Sequence, residues 1–362
     1  MRRVTIFIGC ILGIVFLAGC GNKISIQEYE STVTEVTPET TEPKVEKVQL
    51  DKAIQKAIRT ELGYSENVEL TEKDFQSVTY LAIFEDEVFS LEGISMLENL
   101  EELHINFGSF SDISELTKLG NIRIINISNS FIKDVPDFSN CSQLESIYLT
   151  TGLIENIEPF KKIPSLRTLN LDCNRITSIE AFSDVHNLTF FTIDNNCILD
   201  YYTIQDNESM VTAINEGSQA NFSQLMEVEQ KAKEIVNGFG TDLSELELEE
   251  KIYSYIIDNM EFYDSMRPAG AFGAGGILEG RGVCGDYAQA FAMLANHAGI
   301  ETYVCMSETH AWNIVKIDGK YYHCDALWDE VEEEWKHLNV TEDYIRSLPY
   351  HEYDGRYYPD CE

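Results

Sequence analysis

The chain has 362 residues, of which 62 are Asp or Glu and 26 are Lys or Arg, so its formal net charge at pH 7 is -36. Its length and a hydrophobic content of 44% are sufficient for two domains with separate cores. The acidic excess excludes a nucleic-acid partner, because binding to phosphates needs clustered Lys and Arg.

The N-terminus is typical of an export signal. Arg2 and Arg3 precede an apolar run over residues 6–16 that is too short to span a bilayer on its own. The run ends in Leu-Ala-Gly-Cys20, which resembles the lipobox of bacterial lipoproteins. The resemblance implies a signal peptide over residues 1–19, diacylglycerol on Cys20 and a membrane-anchored extracytoplasmic protein. An uncleaved signal anchor is the alternative.

Two short regions follow the export signal. Residues 20–48 begin with the lipidated cysteine and continue rich in Thr, Glu and Pro, which predicts a disordered tether. Apolar residues then recur at helical spacing over residues 50–63, and Gly63 ends the pattern. We expect residues 49–77 to form a helical cap on the domain that follows.

A 22-residue period covers residues 78–200. Six copies begin with apolar residues at Val78, Leu100, Ile122, Leu144, Leu166 and Leu188. The pattern resembles the leucine-rich repeat, which implies an α/β solenoid with one short strand in each copy.

The outward-facing positions of these strands predict a concave recognition surface. Its aromatic and polar residues suit a protein partner, and a spacer arm with an ordinary surface is the alternative. The candidate binding residues are Tyr80, Phe84, His104, Tyr148 and Phe190.

A second domain is predicted over residues 223–362, after a connector over residues 201–222. In this domain Cys284 stands between glycine residues, directly before a helical pattern that starts at Gly285. A helix N-terminus lowers the pKa of a thiol, and its backbone N–H groups can stabilise an oxyanion.

A β-hairpin is predicted downstream of this helix. An alternating segment begins at His310, Asp318-Gly319 is a turn signal, and the returning strand includes Asp325. Pairing brings His310 and Asp325 together at the open end of the hairpin. A thiol with an oriented imidazole is what nucleophilic thiol catalysis requires.

The segments GVCGDYAQAF, HAWNIVKIDGKYYHCD and ALWDE resemble the transglutaminase-like superfamily. The resemblance implies an α+β, papain-like fold in which Cys284 is the nucleophile and His310 the general base and acid. Asp325 would orient the imidazole through its distal nitrogen, and the Cys284 amide would donate to the oxyanion. Candidate cleft-lining residues are Trp312, Tyr263 and Gly282, whereas His323 is expected to be structural.

No cofactor or metal ion is expected. The cysteines outside the export signal and the lipobox lack the CxxC spacing of a zinc site, and the acidic run after Asp329 lacks the spacing of a calcium loop. Cys305 and Cys324 are expected to be reduced core thiols, and a disulfide between them is the alternative.

These patterns together predict a lipid-anchored surface enzyme that acts on amide bonds of proteins or peptides through an acyl-enzyme. The outcome is hydrolysis, as in a peptidase or deamidase, or cross-linking, and hydrolysis is slightly favoured. A non-catalytic adhesion or scaffold lipoprotein is the alternative from another class. In that protein the repeats would bind a partner and the C-terminal domain would be a binding module.

Overall fold

The computed structural model describes residues 50–263 and 276–362. The predicted signal peptide, Cys20 and the tether lie outside the described residues. Residues 264–275, in the C-terminal domain, also lie outside them. The described residues from Leu50 to Glu362 belong to one compact unit. No helix within the described residues is long and apolar enough to cross a membrane.

Two helices precede the repeats, α1 (Lys52–Glu61) and α2 (Glu72–Ser77). The Asp51 carboxylate accepts a hydrogen bond of 2.7 Å from the Ala53 backbone N–H and so caps α1. Ile54 and Ile58 are fully buried on one face of α1, which packs against the first strand of the repeats. The structure therefore has the predicted helical cap, with α1 slightly shorter than the pattern over residues 50–63.

Each repeat contributes one strand to a six-stranded parallel sheet. The strands are β1 (Tyr80–Ile83), β2 (Glu102–Ile105), β3 (Ile124–Ser128), β4 (Ser146–Thr150), β5 (Thr168–Asn170) and β6 (Phe190–Thr192), in that order. Residues 22 positions apart pair directly, as Leu81 does with Leu103. Alternate strand residues enter a continuous apolar core, so the predicted leucine-rich solenoid is confirmed.

The region after the last repeat differs from the predicted plain connector. It contains a helix, α3 (Glu208–Gly217), which lies directly on β6. A Cβ atom at Gly217 would come within 2.3 Å of the Phe191 carbonyl oxygen, so the absence of a side chain permits this close approach. The helix covers the last strand and thereby caps the core of the solenoid.

The C-terminal part combines helices with an antiparallel sheet, as an α+β domain should. Its helices are α4 (Phe222–Gly238), α5 (Glu245–Asn259), α6 (Gly276–Glu279), α7 (Cys284–His297), α8 (Ala326–Glu332) and α9 (Glu342–Ser347). Its strands are β7 (Glu261–Phe262), β8 (Arg281–Gly282), β9 (Thr302–Met306), β10 (Ala311–Ile317) and β11 (Lys320–Cys324). Strands β9–β11 form one sheet with β10 in the centre, and α7 is buried between this sheet, α4 and α5.

The predicted hairpin is confirmed, with one correction at its end. Asp318 and Gly319 have φ angles of 50° and 81°, which are typical of the tight turn between β10 and β11. Strand β11 ends at Cys324, so Asp325 does not lie in the returning strand. The residues after Asp325 are good helix formers, so the chain turns into α8 at this point. The Asp325 side chain accepts a hydrogen bond from the Trp328 N–H and caps this helix.

The C-terminal segment, residues 349–362, packs against the repeats. The rings of Phe131 and Tyr357 lie 4.5 Å apart between their centroids. Arg175 of the repeats donates a hydrogen bond to the Tyr357 carbonyl, and its guanidinium lies 4.3 Å from the ring centroid of Tyr303 on β9. The repeats and the C-terminal domain therefore share a polar and aromatic contact.

Candidate active site

Cys284 is the first residue of α7 and is half-buried. The Asp286 carboxylate accepts a hydrogen bond of 2.8 Å from the Val283 backbone N–H, which holds the chain in place just before the helix begins. The N-terminal turn of α7 leaves backbone N–H groups near the thiol. Its position matches the predicted thiol at a helix start.

Gly282 is packed against the Asp286 side chain, which leaves no room for a Cβ atom. An added Cβ would lie 2.4 Å from the Asp286 carboxylate, so a side chain would displace the residue that holds the helix start. Gly282 is buried and lies in β8. This differs from the predicted role in lining the cleft.

His310 and Asp325 meet at the open end of the hairpin, as predicted. His310 Nε2 lies 2.6 Å from Asp325 Oδ2, a charge-assisted hydrogen bond between two buried groups. The imidazole stacks on the Trp312 ring with an interplanar angle of 14°. Because the carboxylate holds Nε2, Nδ1 is the nitrogen that remains for an interaction with Cys284, whose thiol and the imidazole shift each other's pKa.

Each oxygen of the Asp325 carboxylate has a fixed partner. Oδ1 accepts a hydrogen bond of 3.2 Å from the Trp328 backbone N–H. Oδ2 accepts from His310 and also lies 3.0 Å from Nε2 of His351. Because both oxygens are held, the carboxylate keeps one orientation toward the imidazole.

The charges of the thiol and the imidazole favour an ion pair. Burial opposes ionisation of Cys284, but the hydrogen bond and charge of His310, with backbone N–H groups of Ala311 and Gly285, lower the pKa of the thiol. Burial also disfavours a charged His310, yet the hydrogen bonds and charges of Asp325 and Cys284 raise its pKa to about 9. At neutral pH both directions favour a thiolate beside an imidazolium.

The remaining predicted cleft residues have different environments. Trp312 is fully buried, and its Nε1–H donates a hydrogen bond of 3.0 Å to Nδ1 of His323. His323 also hydrogen-bonds to Glu342, so it has the structural role expected for it. Tyr263 is exposed, and the Arg281 guanidinium lies 4.7 Å from its ring centroid.

The predicted concave-face residues vary in exposure. Tyr80 and Phe84 are exposed, and Phe84 has 52% of its surface accessible. The His104 ring lies 5.4 Å from that of Tyr80, and both residues are at the first two strands. Tyr148 and Phe190 are half-buried. The aromatic surface therefore lies mainly at the N-terminal end of the repeats.

Three buried residues that sequence reasoning missed surround Asp325. His351 binds its carboxylate. The Tyr253 hydroxyl donates to Asp329 Oδ2 at 2.5 Å and lies 2.9 Å from the Asp325 carbonyl oxygen. Asp329 in turn accepts from the His337 ring at 2.7 Å, which ties α8 to the chain that follows it. In the sequence, His351 could have been noticed only as a histidine among aromatic residues near the C-terminus.

Two clusters in the described region have donor atoms close enough for a metal ion. One consists of His310, Asp325 and His351, and the other of His323, Glu342 and Cys361. In the first cluster the separations of 2.6 and 3.0 Å are those of hydrogen bonds. The Asp325 carboxylate and the two imidazole rings are therefore hydrogen-bonded to each other directly.

The seven cysteines of the described region are free thiols. Cys305 on β9 and Cys324 on β11 are fully buried and are separated by the central strand β10. Burial raises the pKa of both thiols well above its ordinary value. They are reduced core thiols, as expected, and Cys284 is the cysteine whose surroundings favour ionisation.

Comparisons with known proteins identify the class of each part. Residues 229–326 match the transglutaminase-like superfamily, and residues 142–198 match the leucine rich repeat. The chain therefore combines leucine-rich repeats with a transglutaminase-like domain. A comparison with curated proteins gives no significant match.

The chain is also similar to solved structures of Listeria monocytogenes internalins. Internalin C2 is 22% identical over 47% of this chain and 83% of its own, with a TM-score of 0.38. Internalin InlF is 22% identical over 45% of this chain and 67% of its own, with a TM-score of 0.23. The functional domain of InlJ is 15% identical over 41% of this chain and 37% of its own, with a TM-score of 0.36.

Proposed function

We propose that the chain is a thiol enzyme that acts on amide bonds of proteins or peptides through Cys284, His310 and Asp325. One observation carries the proposal: an imidazole that a buried carboxylate anchors at 2.6 Å acts on a thiol at a helix start and lowers the pKa of that thiol. Nucleophile, base and orienting group then stand in the order that acyl transfer by a thiol requires. The transglutaminase-like match over residues 229–326 supports this class of chemistry.

In the first step the Cys284 thiolate attacks the carbonyl carbon of an amide, and the carbonyl oxygen becomes an oxyanion. The backbone N–H of Cys284 is the proposed donor to this oxygen. The His310 imidazolium gives its proton to the amide nitrogen, the C–N bond breaks and an amine leaves. A thioester joins the acyl group to Cys284, and His310 is then neutral.

In the second step neutral His310 removes a proton from the incoming nucleophile. The nucleophile attacks the thioester carbon, the C–S bond breaks, and Cys284 leaves as a thiolate beside the reprotonated His310. Attack by water gives a carboxylic acid and completes a peptidase or deamidase reaction, whereas attack by a primary amine gives a new amide and cross-links two molecules. Asp325 keeps the imidazole oriented and balances its charge in both steps. Hydrolysis is the favoured outcome of this proposal.

The primary test is the reactivity of Cys284 toward iodoacetamide in the full-length protein at pH 7. A lowered thiol pKa should make Cys284 react at least about tenfold faster than Cys361, whose pKa burial raises to about 12. Replacing His310 with Ala should lower the rate about tenfold. Equal rates at the two cysteines, or an unchanged rate in His310→Ala, would contradict an activated thiol and favour the adhesion protein.

A second assay separates the two outcomes of the reaction. Glutamine-containing peptides are incubated with the protein, with and without a labelled primary amine, and peptide masses are followed. Hydrolysis predicts ammonia release or peptide cleavage that does not depend on the amine. Incorporation of the amine without hydrolysis would reverse the stated preference. A Cys284→Ala variant is the control for both products.

We also propose that the protein is held on the outer face of a bacterial membrane by lipid on Cys20. The charged, apolar and small-residue pattern over residues 1–20 supports this location. The repeats would then present a protein-binding face outside the cell. Intact-mass analysis of detergent-extracted protein should give a chain that begins at an acylated Cys20, and a chain retaining residues 1–19 would refute the cleavage.

A further inference from the structure

We propose that His351 is a positioning residue of the active site, which holds Asp325 through the oxygen that also binds His310. The inference rests on the proposed function, because it concerns how that site keeps its imidazole in place. His351 is fully buried and lies 26 residues after Asp325 along the chain. It follows the residues matched by the transglutaminase-like model, which end at 326.

Both ring nitrogens of His351 face hydrogen-bond acceptors. Nε2 lies 3.0 Å from Asp325 Oδ2, and Nδ1 lies 2.9 Å from the Pro349 carbonyl oxygen. A carbonyl oxygen and an ionised carboxylate are both acceptors, so the ring is held by a contact at each of its two nitrogens.

The ring has little freedom to leave this position. Trp312 and Trp328 pack against it, with centroid separations of 4.7 and 5.0 Å. The His310 ring meets it edge to face at 4.8 Å. Aromatic walls therefore fix the plane of His351, and its Nε2–H can point only toward Asp325.

One consequence follows for His310. A carboxylate with both oxygens held cannot rotate away from the imidazole, so His310 keeps the orientation that acyl transfer needs.

Few other charges act on this ring. The uncharged Trp312 and Trp328 form its walls, and Cys284 lies beyond His310. The titratable groups that face His351 from the surrounding elements are Asp325 at the start of α8, His310 before β10 and His323 on β11. Burial lowers the pKa of His323, whose Nδ1 accepts from Trp312, so His323 is neutral at pH 7.

The test measures the rate of Cys284 alkylation by iodoacetamide against pH in the full-length protein. The midpoint of thiolate formation should move about one pH unit higher in His351→Phe, because the variant loses the contact that holds Asp325 toward His310. His351→Gln keeps a donor for Asp325 and should move the midpoint less than His351→Phe. The matched control is His337→Gln, which removes a buried histidine from Asp329 and leaves the Asp325 carboxylate untouched.

Thermal unfolding of each variant separates positioning from stability. Equal loss of stability in the His351 and His337 variants, with a midpoint shift only in the former, supports the proposal. Midpoints of both His351 variants that equal the wild-type value would overturn it and leave the proposed function standing. A wild-type Cys284 that reacts no faster than Cys361 would refute both.

Discussion

At the scale of single residues, one buried carboxylate organises the site. Burial would raise the pKa of Asp325, but the hydrogen bonds from His310 and His351 outweigh it and lower this pKa. Asp325 is therefore ionised whenever the protein is folded near neutral pH. A buried anion of this kind keeps a proton on its imidazole partner.

The first prediction concerns the titration of His310. Its pKa of about 9 means that NMR signals of the ring should change with a midpoint near pH 9, well above the ordinary value for histidine. Replacing Asp325 with Asn removes the charge that favours the protonated ring. This variant should lower the midpoint by at least about one pH unit.

The control is Glu342→Gln, which removes the carboxylate partner of His323 and has no contact with His310. It should leave the His310 midpoint in place. A wild-type midpoint near 6.5 would mean that the anchored imidazole has no raised pKa, contrary to the ion pair proposed for the site.

At the scale of elements, the site is assembled where helices and strands begin or end. Cys284 opens α7, His310 precedes β10, and Asp325 stands between β11 and α8. The geometry therefore depends on the residues that fix these ends more than on the interiors of the elements. Gly282 and Asp286 fix the start of α7 together.

Replacing Gly282 with Ala should displace this start. The new Cβ would overlap the Asp286 side chain at 2.4 Å, so we expect a loss of about 1–3 kcal/mol in the free energy of unfolding. Slower alkylation of Cys284 should accompany it. Gly285→Ala is the matched control for stability, because a Cβ there has no atom within 4 Å. Comparable losses in the two variants would contradict the packing role of Gly282.

The parts of the site that local patterns determine were predictable from the sequence. A constant 22-residue period places equivalent residues of the repeats in register, so the solenoid follows from the order of residues. A turn signal pairs the two strands that flank it, so the proximity of His310 and Asp325 follows in the same way. The predicted strand included Asp325 because a short helix such as α8 has little periodicity of its own, so the sequence did not show where the strand ends.

The parts that depend on tertiary contact were not predictable. Helix α3 is short, and its role is clear only once it is seen on β6. His351 reaches Asp325 from the C-terminal segment, and no local spacing relates the two positions. Gly282 was predicted to line the cleft because a glycine in a sequence does not reveal which neighbour occupies the place of the missing side chain, here Asp286.

At the scale of the whole molecule, the two domains are in direct contact. Phe131 and Arg175 of the repeats contact Tyr357 and Tyr303 of the C-terminal domain. The guanidinium of Arg175 supplies both a hydrogen bond and an aromatic contact. It therefore connects the repeats with the C-terminal segment and with β9.

Arg175→Ala should loosen the C-terminal segment. Loss of a charged hydrogen bond and a cation–π contact is worth about 1–3 kcal/mol, so amide hydrogen exchange in residues 350–362 should become about tenfold faster or more. Arg123→Ala removes an exposed ion pair with Glu145 inside the repeats and should leave this exchange unchanged. Unchanged exchange in Arg175→Ala would show that the contact contributes little.

The C-terminal segment contacts both the repeats and the C-terminal domain, so neither domain can be exchanged for another without changing its contacts. Within it, His351 contacts Asp325, Tyr357 rests on the repeats, and the Glu362 N–H donates to the Tyr321 carbonyl on β11. Grafting another repeat array onto this domain would replace the surface that supports the segment. A different repeat array would therefore have to carry a matching surface for Tyr357, so changes in the repeats and changes in the C-terminal segment are linked.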